Sequence, residues 1–141
     1  MSDRIGKGTG DKSVRIGAIN NDRDSGKYSV SEGYNSWAYG SYAHAEGNSS
    51  IAAGSQAHAE GNQTHAQGMN SHAEGISTYA YDNAHAEGMR TIARAQQHAE
   101  GKYNIDMNDG NVQAVVGNGT ADNMRSNSFV RDWDGNEYLA G

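Results

Sequence analysis

The sequence is poor in large aliphatic side chains. Its 141 residues include 7 Ile, 6 Val, 1 Leu and 1 Phe. These four types make up about 11% of the chain, below the level of about 20% at which disorder is suspected. An ordinary globular core is excluded, because too little apolar surface is available to offset the conformational entropy lost on folding. Two alternatives remain: a disordered chain, or a repetitive β structure with a thin core of small residues.

Cysteine and proline are absent from the sequence. Without Cys the chain forms neither a disulfide framework nor a Cys-ligated zinc or iron site. The net charge of −6, with 11 Lys and Arg, argues against nucleic acid and anionic membranes as partners. Apolar runs are only a few residues long, and the first residues, Met1 to Arg4, contain none. We therefore expect no membrane insertion and no signal peptide in this chain.

Glycine, in contrast, is abundant and periodic. Of the 19 Gly in the chain, nine recur at steps of seven and then twice at steps of thirteen: Gly33, Gly40, Gly47, Gly54, Gly61, Gly68, Gly75, Gly88 and Gly101. A Gly in every heptad costs about 1 kcal/mol each in a helix interior, which excludes a coiled coil. We therefore expect these glycines to be the structural positions of a repeat.

Two kinds of half-repeat precede these glycines and mostly alternate. The first reads Ala-His-Ala-Glu-Gly at 43–47 and returns with small changes at 57–61, 71–75, 84–88 and 97–101. The second is looser, as in Ser-Ile-Ala-Ala-Gly at 50–54. Residues 64–68 stand in the second slot but carry the His of the first. The unit is a pair of half-repeats, about fourteen residues long, and five units run from 34 to 101.

Each half-repeat alternates with the period of a β-strand. Ala43, Ala45 and Gly47 lie on one face of such a strand, and His44 and Glu46 lie on the other. Polar turn residues follow each Gly. Two strands and two turns per unit predict one coil of a narrow parallel β-solenoid, with neighbouring coils about 4.8 Å apart. So narrow a coil has room inside for little more than Ala, Ser and Gly, so His and Glu lie outside the roll.

The outward positions define a ladder of His and Glu. Its predicted members are His44, Glu46, His58, Glu60, His65, His72, Glu74, His85, Glu87, His98 and Glu100. Two interpretations are open: a metal or anion site made of stacked imidazoles, or a structural ladder in which each imidazole bonds a Glu or the backbone. Equal spacing along a rod favours the structural ladder, because a catalytic centre needs different groups that converge on one point. We therefore predict no catalytic residue, no metal and no cofactor.

Paired carboxylates also suggest a glycosidase, which needs two of them about 5 to 10 Å apart. Any such ladder places carboxylates at this spacing, and no Ser lies in a nucleophile-elbow motif, so we predict a protein that is not an enzyme.

Trp37, Tyr39, Tyr79 and Tyr81 are candidate glycan contacts, and the alternative is that they fill gaps between chains. A surface this rich in bulky groups favours a partner, of which another copy of the chain is the simplest.

The repeats carry a resemblance to a known family. Residues 13–17, 50–54 and the Ala-His-Ala-Glu-Gly series resemble the head repeats of YadA-like trimeric adhesins. The His-Ala-Glu-Gly variant, followed by the segments at 115–120 and 132–136, is more similar to tail-fibre and tailspike proteins of phages and prophages of Gram-positive hosts. This resemblance implies a left-handed parallel β-roll wound three to a trimer.

The predicted fold is therefore all-β: a left-handed parallel β-roll or solenoid with about 14 residues per coil, in an intertwined homotrimer. We expect a partly β lead-in at 1–26, the roll at 27–101 and a small β cap at 102–141, with a hairpin around Asp134-Gly135. The resemblance implies a structural and host-recognition module of a phage tail fibre, located in the virion, with a host cell-surface glycan and other tail proteins as partners. The head of a bacterial trimeric surface adhesin is the alternative, and a polysaccharide-depolymerising tailspike ranks third.

Overall fold

The computed structural model of the protein describes residues 5–7, 9–17 and 25–140. All regular secondary structure in these residues is β. Within them no helix is long and apolar enough to pass through a membrane. The remainder of the predicted lead-in at 1–26 lies outside the described residues.

Most strands belong to one large sheet. In spatial order this sheet contains β1 (Ile5–Lys7), β2 (Val14–Ile16), β3 (Val30–Tyr34), β5 (His44–Asn48), β7 (His58–Asn62), β9 (His72–Ile76), β11 (His85–Ala86), β13 (His98–Lys102), β14 (Val112–Asn118), β15 (Asn127–Asp132) and β16 (Glu137–Leu139). The strands from β2 to β14 run parallel, and β1, β15 and β16 add to the two ends in antiparallel fashion.

A smaller sheet lies on the other side of the roll. It contains β4 (Trp37–Ala38), β6 (Ile51–Ala52), β8 (His65–Ala66), β10 (Tyr79–Ala80) and β12 (Ile92–Ala93), all parallel and in chain order. From β3 to β13 the chain alternates between the two sheets, with one strand in each per coil. This arrangement confirms the parallel β-solenoid, which has about seven coils of about 14 residues.

Equivalent residues of successive coils pair directly. His44 pairs with His58, and Gly47 pairs with Gly61, fourteen residues further along. The last two repeat steps are one residue shorter, as in His72 opposite His85. The shorter turn keeps its register because the Asp82 carboxylate accepts a hydrogen bond of 2.8 Å from the Met69 backbone N–H.

The parallel stack is longer than the five units read from the sequence. Strands β2 and β3 precede the first Ala-His-Ala-Glu-Gly strand, and Val14 pairs with Val30, which in turn pairs with His44. At the other end β14 pairs in parallel with β13, so the backbone ladder continues into the predicted cap. The expected hairpin is present, with β15 antiparallel to β16 around Gly135.

The core is a column of small side chains. Thirteen alanines form one buried cluster, and inward-facing Ser and Thr residues are buried beside them. Their hydroxyls are largely satisfied: Ser50 donates to the carbonyl oxygen of Gly61 at 3.1 Å, and Thr64 donates to Ser50 at 3.0 Å. The expectation that only small residues fit inside the coil is confirmed.

The glycines permit the close approach of neighbouring coils. Gly47 has a φ of +103°, and a β-carbon on it would lie 2.1 Å from the carbonyl oxygen of Gly61. A second row, which includes Gly54, lies at the opposite turn, where a β-carbon would lie 1.8 Å from the carbonyl oxygen of Gly68. Each turn also contains a non-glycine residue in the left-handed region, such as Ser49 (φ 58°) and Gln56 (φ 59°). The backbone N–H of Gln56 extends the ladder to Ser41 at 2.8 Å.

Candidate functional site

The larger sheet places five imidazoles in one column on its outer surface. The members are His44, His58, His72, His85 and His98, and we call them the His column. Neighbouring rings are stacked with centroids 4.7 to 4.9 Å apart and interplanar angles of 2° to 26°. This spacing is that of the strands, because each ring stands directly over the equivalent ring of the next coil. About a third of each of the first four side chains is exposed.

A column of carboxylates runs beside the His column, two residues further along each strand. Glu32, Glu46, Glu60 and Glu74 pair in register, and Glu87 and Glu100 follow in the next two coils. We call these six residues the Glu column. Glu32 was not among the predicted ladder residues, because its strand has Val30 where the others have His.

Contacts between the two columns differ along the rod. At the ends the imidazole Nε2 lies within hydrogen-bonding distance of a carboxylate: 3.1 Å between His44 and Glu32, and 3.2 Å between His98 and Glu87. In the middle the Nε2 atoms of His58, His72 and His85 are shielded from solvent and have no hydrogen-bond partner. The central imidazoles therefore face the carboxylates without bonding to them.

Hydrogen bonds between neighbouring carboxyl groups shift the titration of the Glu column. The Glu87 carboxylate beside Glu74, together with burial, raises the pKa of Glu74 to about 7. Glu74 and His98 lower the pKa of Glu87, because each donates a hydrogen bond to its carboxylate. At the first coils the pKa of Glu46 is raised by Glu32. In each of these two pairs one carboxyl group, Glu74 or Glu46, therefore has a raised pKa and its neighbour, Glu87 or Glu32, a lowered one.

Burial has the opposite effect on the imidazoles. Desolvation lowers the pKa of His72, and the neighbouring His85 and His58 lower it further. Desolvation also lowers the pKa of His85, with a smaller contribution from His98. The rings of His72 and His85 are consequently favoured in the neutral form, in which a ring nitrogen is free to accept a proton or a metal ion.

His65 does not belong to the ladder in which the sequence placed it. It lies in β8 of the smaller sheet, where its ring stacks on Tyr79 with centroids 4.5 Å apart. Burial lowers the pKa of His65. Residues 65 and 66 read His-Ala, as in the first half-repeat, but they occupy the position of the second half-repeat in the coil. That position places His65 in the smaller sheet. The other predicted members of the His/Glu ladder are brought together as expected.

The smaller sheet presents the bulkiest outer side chains. One outward residue from each coil forms a row that we call the apolar row: Trp37, Ile51, His65, Tyr79 and Ile92. These side chains line a groove of about 360 Å³, which Arg90 and Arg125 also border. Asp122 holds both arginines through ion pairs of 2.7 Å.

The four predicted glycan contacts are divided between two positions of the coil. Trp37 and Tyr79 lie in the apolar row. Tyr39 and Tyr81 lie two residues further along their coils, where Tyr39 stacks near Trp37 at 6.1 Å and the Arg94 guanidinium covers the Tyr81 ring at 4.5 Å. The arrangement therefore does not bring all four rings onto one platform.

A further aromatic pair lies in the turns of the first coils; its member Tyr42 is a candidate glycan contact from the sequence, but its stacking on Tyr28 was not predicted. Tyr28 and Tyr42 occupy the same turn of successive coils, stacked with centroids 5.3 Å apart, and 60% of Tyr42 is exposed. Lys12 and Lys27 lie over the Tyr28 ring at 5.1 and 5.0 Å. The two tyrosines are fourteen residues apart, which is one repeat. In later coils the same position holds Gln or Asn, so the sequence shows no repeated aromatic residue there.

The chain was compared with known proteins at the level of sequence and of structure. No family model, no curated protein and no solved structure matches it.

Proposed function

We propose that this chain is a structural and host-recognition module of a phage or prophage tail fibre, which acts as a homotrimeric rod in the virion. The observation that carries the proposal is the in-register stack of about seven coils with a row of bulky, partly apolar side chains on its outer surface. The resemblance of the repeats to trimeric adhesin heads and tail fibres supports the same assignment. The rod needs no chemistry of its own, since its role is mechanical.

The apolar row supports assembly from three copies. Ile51 and Ile92 are only partly covered within one chain, and Tyr79 is 37% exposed. Burial of such side chains against a neighbouring chain is favourable by roughly 25 cal/mol per Å² of apolar surface. The row follows the whole length of the smaller sheet, so a neighbouring rod that lies alongside contacts each of the five coils in that sheet. Three chains joined in this way form a closed assembly, which leaves no apolar row unpaired.

Recognition in this proposal is multivalent. Three copies of an exposed aromatic surface, such as that of Tyr42, bind a repetitive cell-wall glycan with weak individual contacts whose combination raises the overall affinity. Aromatic rings suit such a ligand because their faces cover the apolar faces of sugar rings. The other tail proteins would join the rod at its ends.

Light scattering of the purified protein tests the assembly. A trimer has about 45 kDa, three times the 15.0 kDa of one chain. We expect Ile51→Lys to reduce this mass toward that of the monomer, since the charge replaces an apolar contact in each of three interfaces. The matched control is Ile76→Lys, at a position that is 46% exposed and outside the apolar row. A wild-type protein that is a stable monomer would contradict the trimeric rod.

Binding to purified Gram-positive cell-wall polysaccharide tests the recognition. We expect retention of the trimer, weaker retention of the Tyr42→Ala variant, and no release of saccharide. Saccharide release would contradict the structural assignment and favour a depolymerising tailspike.

A further inference from the structure

The middle of the His and Glu columns contains groups whose bonding is incomplete. The Nε2 atoms of His58, His72 and His85 are shielded from water and have no hydrogen-bond partner. A buried polar atom left unbonded costs about 1 to 3 kcal/mol. The end positions show that the same side chains are able to bond directly, because His44 and His98 do so. The three central imidazoles therefore have an unused acceptor or donor each.

The distances in this region are slightly longer than those between ligands of one metal ion. Nε2 of His58 lies 3.6 Å from Oε2 of Glu60, and Nε2 of His85 lies 3.6 Å from Oε1 of Glu74. Nε2 of His72 lies 3.9 Å from Oε2 of Glu74. These separations are too long for hydrogen bonds. Two ligands of a tetrahedral Zn²⁺ ion, with bonds of about 2.0 to 2.1 Å, lie about 3.4 Å apart.

Two overlapping groups of three ligands result. His58, Glu60 and His72 form one, and His72, Glu74 and His85 form the other, with the ligand atoms of each group within 4.8 Å of one another. Two neutral imidazoles and one carboxylate are a ligand set that suits Zn²⁺, with the fourth position open to water. His72 is a member of both groups, so an ion that takes its Nε2 in one group leaves only one imidazole and one carboxylate in the other.

We infer that the central part of the His and Glu columns, from His58 to His85, binds one divalent transition-metal ion per chain, of the type of Zn²⁺. The ion supplies the missing partner of the central imidazoles and neutralises part of the stacked negative charge of the Glu column. The site is complete within one chain and depends on neither trimer formation nor the proposed role in a tail fibre. It adds a ligand-dependent contribution to the stability of the rod.

Ring orientation is the adjustment that the site requires. The imidazoles of His58 and His72 stack at 4.7 Å with nearly parallel planes, so their nitrogens must turn toward a common point. Both side chains are 36% exposed, and Glu60 is 35% exposed, which leaves room for that rotation at the surface. Ala59, between His58 and Glu60, is fully buried and holds the strand in place.

Calorimetric titration of ZnCl₂ into the full-length protein, freed of metal by EDTA and dialysis, tests the inference. We expect saturable binding of one Zn²⁺ per chain. The double variant Glu60→Gln/Glu74→Gln, which preserves side-chain shape, should bind at least about tenfold more weakly. The matched control is His65→Asn, which removes the imidazole of the smaller sheet and should leave affinity unchanged. Circular dichroism of each variant verifies that the β fold is retained.

A spectroscopic measurement provides a second readout. Co²⁺ added in place of Zn²⁺ should give the visible absorption of a four-coordinate site with nitrogen and oxygen ligands, and His72→Gln should abolish it, because His72 belongs to both ligand groups. Absence of saturable Zn²⁺ binding to the wild-type protein would overturn the inference. Equal weakening by His65→Asn and by the double glutamine variant would overturn it as well.

Discussion

Gly61 lies so close to the next coil that a β-carbon on it would come within 2.2 Å of the carbonyl oxygen of Gly75. Gly61 also has a φ of +114°, which L side chains rarely adopt. The spacing between coils is fixed by the backbone hydrogen bonds of the parallel sheet, so neither coil moves away without losing them. Any side chain at this position meets both a steric and a conformational penalty.

Replacement of Gly61 or Gly75 by Val should therefore destabilise the rod severely. We expect a loss of about 4 kcal/mol or more in the free energy of unfolding, measured by urea denaturation at fixed protein concentration. Gly110→Ala is the matched control, because a β-carbon there meets nothing within 4 Å, and it should change stability by no more than about 0.5 kcal/mol. Wild-type stability in the Gly61→Val variant would contradict the assigned register.

The size limit of the core gives a second prediction. Ala59 is fully buried, and Leu at this position should cost about 1 to 3 kcal/mol or more, because the two sheets have no space for three extra carbons. Ala53 is the control. It lies on the outer side of the coil, where equivalent positions of other coils hold Tyr39, Gln67 and Tyr81. Ala53→Gln should leave the urea midpoint unchanged, and equal effects of the two substitutions would argue against the inward assignment of Ala59.

Asn104 closes the edge of the smaller sheet, and its removal gives a third prediction. Its side chain is fully buried, accepts a hydrogen bond of 2.8 Å from the Ile92 backbone N–H and donates one of 2.9 Å to the Ile92 carbonyl. Asn104→Ala leaves both backbone groups unbonded and should cost at least about 2 kcal/mol.

The exposed Asn108 provides the control for this substitution, since Asn108→Ala removes the same amide from the surface. Amide hydrogen exchange should show faster exchange at Ile92 in the Asn104 variant alone. Unchanged exchange at Ile92 would mean that the side chain does not cap the sheet.

The Glu column makes stability depend on pH when metal is removed by EDTA. The pKa of Glu74 is about 7 in the folded chain, above the ordinary value of 4.5. Its contribution to stability is therefore fully present below pH 4.5 and is lost as the pH rises through 7. Glu74→Gln does not ionise, so it should melt about 2 to 4 °C above the wild type at pH 8, and the difference should shrink toward pH 5.

The imidazoles oppose this trend at lower pH. The pKa values of His72 and His85 are lowered in the folded chain. These two residues therefore contribute fully to the free energy of unfolding above pH 6.5, and this contribution is lost as the pH falls below 6.5. Glu74 lies 3.9 Å from His72 and 3.6 Å from His85, so the comparison with Glu74→Gln is interpreted at pH 8, above the range in which these two imidazoles gain a proton. Glu137→Gln, on the terminal hairpin, serves as the control and should follow the wild-type curve. A Glu74→Gln curve that also follows the wild type would show that the stacked carboxylates do not repel one another.

The period of the glycine repeat and the small size of the alternating alanines were sufficient to predict the solenoid. The seven-residue step of Gly excluded helices, and the alternation of Ala43 and Ala45 with His44 identified the inner face of each strand. Both inferences depend on local backbone geometry, which is repeated in every coil and so is visible many times in one sequence. The length of a coil follows from the same repetition.

Features that occur once were not predictable in this way. The strand of Val30 and Glu32 has neither His nor inward Ala, so the Ala-His-Ala-Glu-Gly pattern did not mark Glu32 as a ladder residue. His65 shares part of that pattern, but its position in the second half-repeat, which is visible in the sequence, decides its sheet. Asn104 caps an edge that exists only after the coils have stacked, a tertiary relationship that no local signal encodes.

The stacking of equivalent residues has a consequence for how such a rod changes length in evolution. Every inner coil presents the same backbone edge above and below, as in the pairing of His44, His58 and His72. Duplication or deletion of the coding sequence for one coil therefore joins compatible edges and alters the rod by a fixed step of about 4.8 Å. The length of the rod therefore changes in whole coils, while the segments at its two ends stay the same.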